Sequence, residues 1–189
     1  MQPKEILDIL HVAERLKDAT RHCDTSGGRR ESVAEHCWRA AFMAMLLQED
    51  FPQADMNKVI RMCLIHDMGE AFTGDIPCFE KTEADEDVEE DRLAAWVSGL
   101  SEPLRGELQA LYREMDALQT TEAKIYKAID GMEAVIQHNE ADIASWLPLE
   151  YDLQMTYAND RVAFSPVLQV LREAIRSETK KKIEQNNTP

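Results

Sequence analysis

Apolar residues recur at helical spacing through most of the chain. Ile6, Leu7, Ile9, Leu10, Val12, Ala13 and Leu16 follow Pro3 and predict a first helix to about Lys17. From Thr20 to Arg30 the period stops, and paired glycines with three arginines read as a connecting loop. Ser32 followed by Glu35 is a capping-box pattern, behind which Val33, His36, Cys37, Ala40, Met43, Ala44 and Leu47 form one apolar stripe. A third helix, capped by Asp55 or Asn57, places Val59, Met62, Cys63 and His66 on one face.

After Asp67, two glycines and Pro77 predict a short helical turn followed by a loop. Glu80 to Asp91 holds eight acidic residues in twelve, which reads as a mobile, solvated loop and helix start; Ala94, Ala95, Trp96 and Val97 continue that fourth helix, which Gly99 ends. Ser101 and Pro103 open a fifth helix. Thr120 or Thr121 caps a sixth, with Ala123, Tyr126, Ile129, Met132, Val135 and Ile136 on its stripe and Asp130 one residue off it. Past Trp146-Leu147-Pro148 the chain reads as irregular, until Ser165-Pro166 opens a last helix to about Lys182. The pattern predicts an all-α chain with one domain over residues 1–184 and a disordered tail at 185–189.

Composition agrees: 44% apolar content supports a sizeable core, while seven glycines and seven prolines are few. The formal charge of −15 excludes a nucleic-acid backbone as a general partner, because such binding rests on Lys and Arg displacing phosphate counterions. An anionic ligand must therefore be met locally, by a metal and a few basic residues. Cys23, Cys37, Cys63 and Cys78 show no CxxC spacing and read as free thiols in a reducing cytosol. With no long apolar run and no signal-type N-terminus, a cytoplasmic protein with no membrane partner is expected.

His36 and His66 both lie on inward faces. Either alone reads as a core histidine, but burying both without partners would cost several kcal/mol, and one shared cation satisfies the pair. The adjacent Asp67 can add a carboxylate oxygen to the same ion. Asp130, at the edge of an apolar stripe, also needs a partner. Glu70, three residues after Asp67, falls beside such an ion if the helix continues and can take or give a proton; Asp75 can orient a water.

The order His36, His66-Asp67, then Asp130 resembles the motif of the HD-domain metal-dependent phosphohydrolases. Three blocks are similar to the small 5'-deoxynucleotidase-type branch. They are Glu31-Ser32-Val33-Ala34-Glu35-His36, the run from His66 to Pro77, and Glu122-Ala123-Lys124 ahead of Asp130. The resemblance implies a helical HD-domain fold with the metal site in the bundle core. It implies His36, His66, Asp67 and Asp130 as ligands of one divalent ion (Mn²⁺, Co²⁺, Fe²⁺, Ni²⁺, Zn²⁺ or Mg²⁺), and Glu70 and Asp75 as catalytic carboxylates. Phosphate contacts are implied in the arginine-rich loop, Arg21 first, with Arg29 and Arg30. Family members carry a tryptophan near that arginine, where this chain has Arg21-His22-Cys23 and a glycine-rich insertion.

The implied activity is hydrolysis of nucleoside 5'-monophosphates, deoxyribonucleotides in particular, by a homodimer whose interface would fall on exposed apolar residues of the fourth or fifth helix. Pyrophospho- or triphosphohydrolase chemistry would use the same metal site with a longer pocket. A non-catalytic sensor or metal staple would have no use for the spare carboxylates Glu70 and Asp75.

Overall fold

The computed structural model describes residues 1–186, and helices dominate them. In chain order they are α1 (Pro3–Glu14), α2 (Val33–Leu46), α3 (Met56–Ile65), the single-turn α4 (Glu70–Thr73), α5 (Glu83–Ser98), α6 (Leu104–Ala117), α7 (Thr121–Glu140), α8 (Glu150–Thr156) and α9 (Pro166–Asn186). Between α1 and α2 lies a hairpin, β1 (Thr20–Asp24) paired antiparallel with β2 (Arg30–Ser32).

α7 is the axis of the bundle. Ala123, Ile125, Ala128, Ile129, Met132 and Val135 are fully buried on it, more than one helical face can carry, and it packs against α2, α3, α6, α9 and β1. Met62 and Ile129 each contribute roughly 1.5–3 kcal/mol by leaving water. A smaller cluster of Leu16, Val33, Cys37, Met68 and Ala71 seats the N-terminal segment against α2 and α4.

Helix starts follow the predicted caps. Ser32 accepts from Glu35 N–H while the Glu35 carboxylate takes the Ser32 N–H at 2.9 Å, a reciprocal cap whose first half alone is worth about 1 kcal/mol. The hydrogen bonds from Arg29 and from Ser32 hold the Glu35 carboxyl down to about 2. Asp55 caps α3 and Thr120 caps α7.

Three expectations need correction. The segment from Thr20 to Arg30 is a hairpin: Gly28 takes φ +78° in its turn, and Arg21 and Glu31 serve polar neighbours, which erases the apolar alternation that marks most strands. The helix start expected within the acidic run falls at Glu83, where Thr82 and Asp85 form a second capping box that offsets the charge repulsion. The stretch after Pro148 contains α8, whose Glu150 and Gln154, polar yet buried, conceal its inner face from a hydrophobicity pattern. Finally, α9 includes Gln185 and Asn186, which the tail at 185–189 would leave out; residues 187–189 lie outside the described residues. Among the described residues no helix is long and apolar enough to cross a membrane.

Candidate metal centre and active-site cavity

Three helices deliver four donor groups to one point. His36 sits in the first turn of α2 with its ring fully buried, His66 caps the C-terminus of α3 with Asp67 behind it, and Asp130 comes from the middle of α7. His36 Nε2 lies 3.2 Å from His66 Nε2, 3.3 Å from Asp130 Oδ1 and 3.7 Å from Asp67 Oδ2. His66 Nε2 is 3.2 Å from Asp67 Oδ2 and 3.6 Å from Asp130 Oδ1.

The other ring nitrogens decide what this cluster requires. His66 Nδ1 donates to the Cys63 carbonyl at 2.9 Å, and His36 Nδ1 donates to Glu133 Oε2. When neutral, both rings therefore turn an Nε2 lone pair toward the centre, where two carboxylate oxygens already point. Four acceptors without a donor repel one another unless a positive charge sits among them. The titration behaviour says the same: burial opposes charge on the His66 ring, yet Asp67 and its other neighbours carry its pKa well above the usual histidine range. Burial likewise opposes charge on Asp130, and Lys127 with the two histidines holds it well below the ordinary carboxylate range. The donors suit one divalent ion bound by two nitrogens and two oxygens, with spacings of the size that ligands on one ion adopt.

Around the donors lies a second layer of charge. Glu133 is fully buried and bridges His36 to Arg39, whose guanidinium also donates to Gln137 Oε1 at 2.6 Å; Gln137 in turn donates to the Asp24 carbonyl at 2.7 Å. Thus α2, α7 and β1 are locked together behind the metal position. Lys127 Nζ is 2.9 Å from Asp130 Oδ2 and Arg161 Nη1 is 3.5 Å from it. Gly131 makes room for Arg161: a Cβ there would stand 2.8 Å from Ala158 Cβ and 2.9 Å from Arg161 Nη1.

The donors open onto a cavity of about 270 Å³. Arg21 lines it, with Nη1 3.6 Å from Asp67 Oδ2 and Nε 3.2 Å from Glu31 Oε2. Glu70 lines it too, its Oε2 buried without a partner; burial, then Asp67 and Asp75, push this carboxyl up to about 10. Gly74, at φ +78°, turns the chain after α4 and brings Asp75 to the cavity wall, where burial raises its carboxyl as well.

Of the residues singled out from sequence, seven meet here: Arg21, His36, His66, Asp67, Glu70, Asp75 and Asp130. Arg29 and Arg30 do not. Arg29 is engaged by Glu35, Arg30 faces Asp24 at 3.6 Å, and both line a separate surface depression beside Lys17 and Trp38, because the hairpin turn carries them away from Arg21. The sequence reading missed Glu133, Lys127 and Arg161. Glu133 was findable: it follows Asp130 by three, on the same side of α7, and is an acid beside the apolar Met132.

The family model described as HD domain matches residues 13–172 of the chain. The chain belongs to the HD-domain family. Among relatives of this HD-domain protein, a 5'-deoxynucleotidase of Homo sapiens is 34% identical over 141 residues, spanning 72% of this chain and 68% of that one. A 5'-deoxynucleotidase of Dictyostelium discoideum is 32% identical over 144 residues, spanning 71% and 76%. Among solved structures, a predicted metal-dependent phosphohydrolase from Magnetospirillum magnetotacticum superposes with a TM-score of 0.79 at 26% identity, covering 95% of this chain and 93% of that one.

Proposed function

We propose that this HD-domain protein is a metal-dependent phosphomonoesterase that converts 2'-deoxynucleoside 5'-monophosphates to deoxynucleoside and phosphate. The observation that carries the reading is the cavity itself. A four-donor cation position, the Arg21 guanidinium and the Glu70 carboxyl, whose buried Oε2 has no hydrogen-bond partner, face the same space. The names of the human and Dictyostelium relatives supply the substrate class.

His36, His66, Asp67 and Asp130 hold the divalent ion, which when bound supplies Lewis acidity at phosphorus and makes water a better nucleophile. Arg21 grips the phosphate; its planar fork suits phosphate oxygens, and the carboxylates of Asp67, Glu133 and Asp75 keep the guanidinium charged against the opposing effect of burial. Asp75 orients the attacking water. As water adds to phosphorus and the bond from phosphorus to O5' breaks, the electron pair leaves on O5', Glu70, whose raised carboxyl holds a proton, delivers it there, and Asp75 takes the proton that the attacking water sheds. Lys127 and Arg161 keep Asp130 ionised and oriented.

The test is phosphate release from a panel of ribo- and deoxyribonucleoside mono-, di- and triphosphates, using metal-stripped protein reloaded with each divalent ion. Release confined to monophosphates, strongest with 2'-deoxy sugars and dependent on metal, is the expected result. Turnover of triphosphates alone would overturn it.

The same reading includes a homodimer working in the cytoplasm. Trp38 and Phe42 stack at 5.9 Å on the outer face of α2, with Met45 and Leu46 continuing the exposed stripe, which supports α2 as the interface over α5 or α6. Free thiols at Cys23, Cys37 and Cys63, all buried, fit a reducing compartment. Light scattering should give twice the 21.6 kDa chain mass, and a Trp38→Glu variant should return the single-chain value. A wild type of single-chain mass at assay concentration would remove the dimer from the proposal.

A further inference from the structure

The cavity extends well beyond the cation cluster, and α7 measures its length. Lys127, Asp130, Ala134 and His138 succeed one another at helical spacing and all line it. At 1.5 Å per residue, Asp130 and His138 stand about 12 Å apart along the helix axis. α8 and the turn after it form the facing wall and run the opposite way. Tyr157 lies under the Arg161 guanidinium at 4.8 Å, beside Asp130, whereas Glu150 meets His138 at 2.9 Å. Glu150 and Tyr157 therefore mark the two ends of this wall, and Gln154 falls between them, about 6 Å from the level of the one and about 4.5 Å from the other.

Gln154 is 3% exposed and lines the cavity, yet its carboxamide makes no hydrogen bond to any described residue; only its main-chain carbonyl is used, by Arg172 Nη2 at 2.8 Å. Its polar neighbour is spent by contrast. Glu150 meets His138, lies 3.3 Å from His22 and accepts the Leu147 N–H at 2.7 Å. The carboxamide atoms are open to the cavity, so their hydrogen bonds are available to what occupies it. A ligand in the cavity can supply those bonds in place of solvent.

We propose that the Gln154 carboxamide is the hydrogen-bond partner of the substrate's sugar, reading its 3'-hydroxyl. The inference rests on the nucleotidase reading, in which phosphate occupies the cation end and the covalent order phosphate, sugar, base then runs along α7 toward His138. The sugar falls at the depth of Gln154, and the base reaches the wall of His22, Phe79 and His138, where His22 and Phe79 meet edge to face at 5.5 Å. A 3'-hydroxyl donates one hydrogen bond and accepts others, and a carboxamide offers both complements.

The experiment compares kcat/KM for a 2'-deoxynucleoside 5'-monophosphate with that for its 2',3'-dideoxy analogue, in wild type, Gln154→Met and Gln154→Glu. Wild type should favour the 3'-hydroxyl by roughly tenfold to a hundredfold, the discrimination a site shows when a buried hydrogen-bonding group loses its complement. Gln154→Met, close in size and without a hydrogen-bonding end, should bring the ratio near one; Gln154→Glu, which keeps an acceptor and loses the donors, should give an altered ratio. Each ratio is taken within one preparation, so partial unfolding of a variant cancels. A wild-type ratio near one, or a ratio that both variants leave unchanged, overturns the assignment of Gln154. If wild type releases phosphate from p-nitrophenyl phosphate and from no nucleoside monophosphate, the nucleotidase reading itself falls.

Discussion

Asp67→Ala should empty the metal position and stop turnover together. Asp67 Oδ2 stands 3.2 Å from His66 Nε2 and 3.7 Å from His36 Nε2, so its loss removes one of two carboxylates that balance a dication between two imidazoles. Removing Lewis acidity worth several kcal/mol corresponds to a fall in rate on the order of 10³-fold or more. Metal analysis after gel filtration should show little bound ion. Glu70→Gln is the contrasting variant: Glu70 lies in the cavity but outside the four-donor cluster, so bound metal should remain while turnover falls by roughly 10²–10⁴-fold, the usual worth of a positioned proton donor. An Asp67→Ala protein that retains stoichiometric metal would remove Asp67 from the ligand set. A Glu70→Gln protein of undiminished rate would end the proton-donor role.

The contrast between these two carboxylates was visible in the sequence because both lie in one short segment, three residues apart, after an inward histidine. What could be read there were the features that local chemistry writes along the chain: caps at Ser32, Asp55 and Thr120, apolar stripes on α2, α3 and α7, and the His-Asp pair at the end of α3. The features that escaped share a physical cause. β1 and β2 carry charged side chains that approach Asp67 and Glu133, α8 buries Glu150 and Gln154, and α7 buries Glu133 on what should be its apolar side. Each element spends inward positions on polar groups that face the cavity or meet partners far along the chain, His36 being 97 positions from Glu133. Hydrophobic periodicity is silent wherever the cavity takes the place of a core. Arg29 and Arg30 were misplaced for a related reason: a hairpin turn separates neighbours in sequence that a loop would have left beside Arg21.

Glu133→Ala should produce the largest loss of stability. The carboxylate is fully buried, accepts from His36 Nδ1 with one oxygen and from Arg39 Nε with the other, and its charge is held against burial by those two partners. Truncation leaves a guanidinium and an imidazole N–H facing an emptied space, and breaking a buried pair from one side costs about 3–5 kcal/mol. For a chain of this size, where each kcal/mol moves Tm by about 2–4 °C, the melting temperature should fall by roughly 10 °C. Glu133→Gln tests the other half of its role. The amide can still accept from one partner, but its NH2 then confronts the donor of the second, so the orientation of the His36 ring is lost and metal affinity should drop about 10–100-fold even where folding survives. Adding Arg39→Met to Glu133→Ala removes the stranded guanidinium. If an uncompensated charge is the main cost, the double variant melts above the sum of the two single losses; if the losses simply add, the Glu133 effect is one of packing, and its hold on His36 is the only electrostatic task left to it.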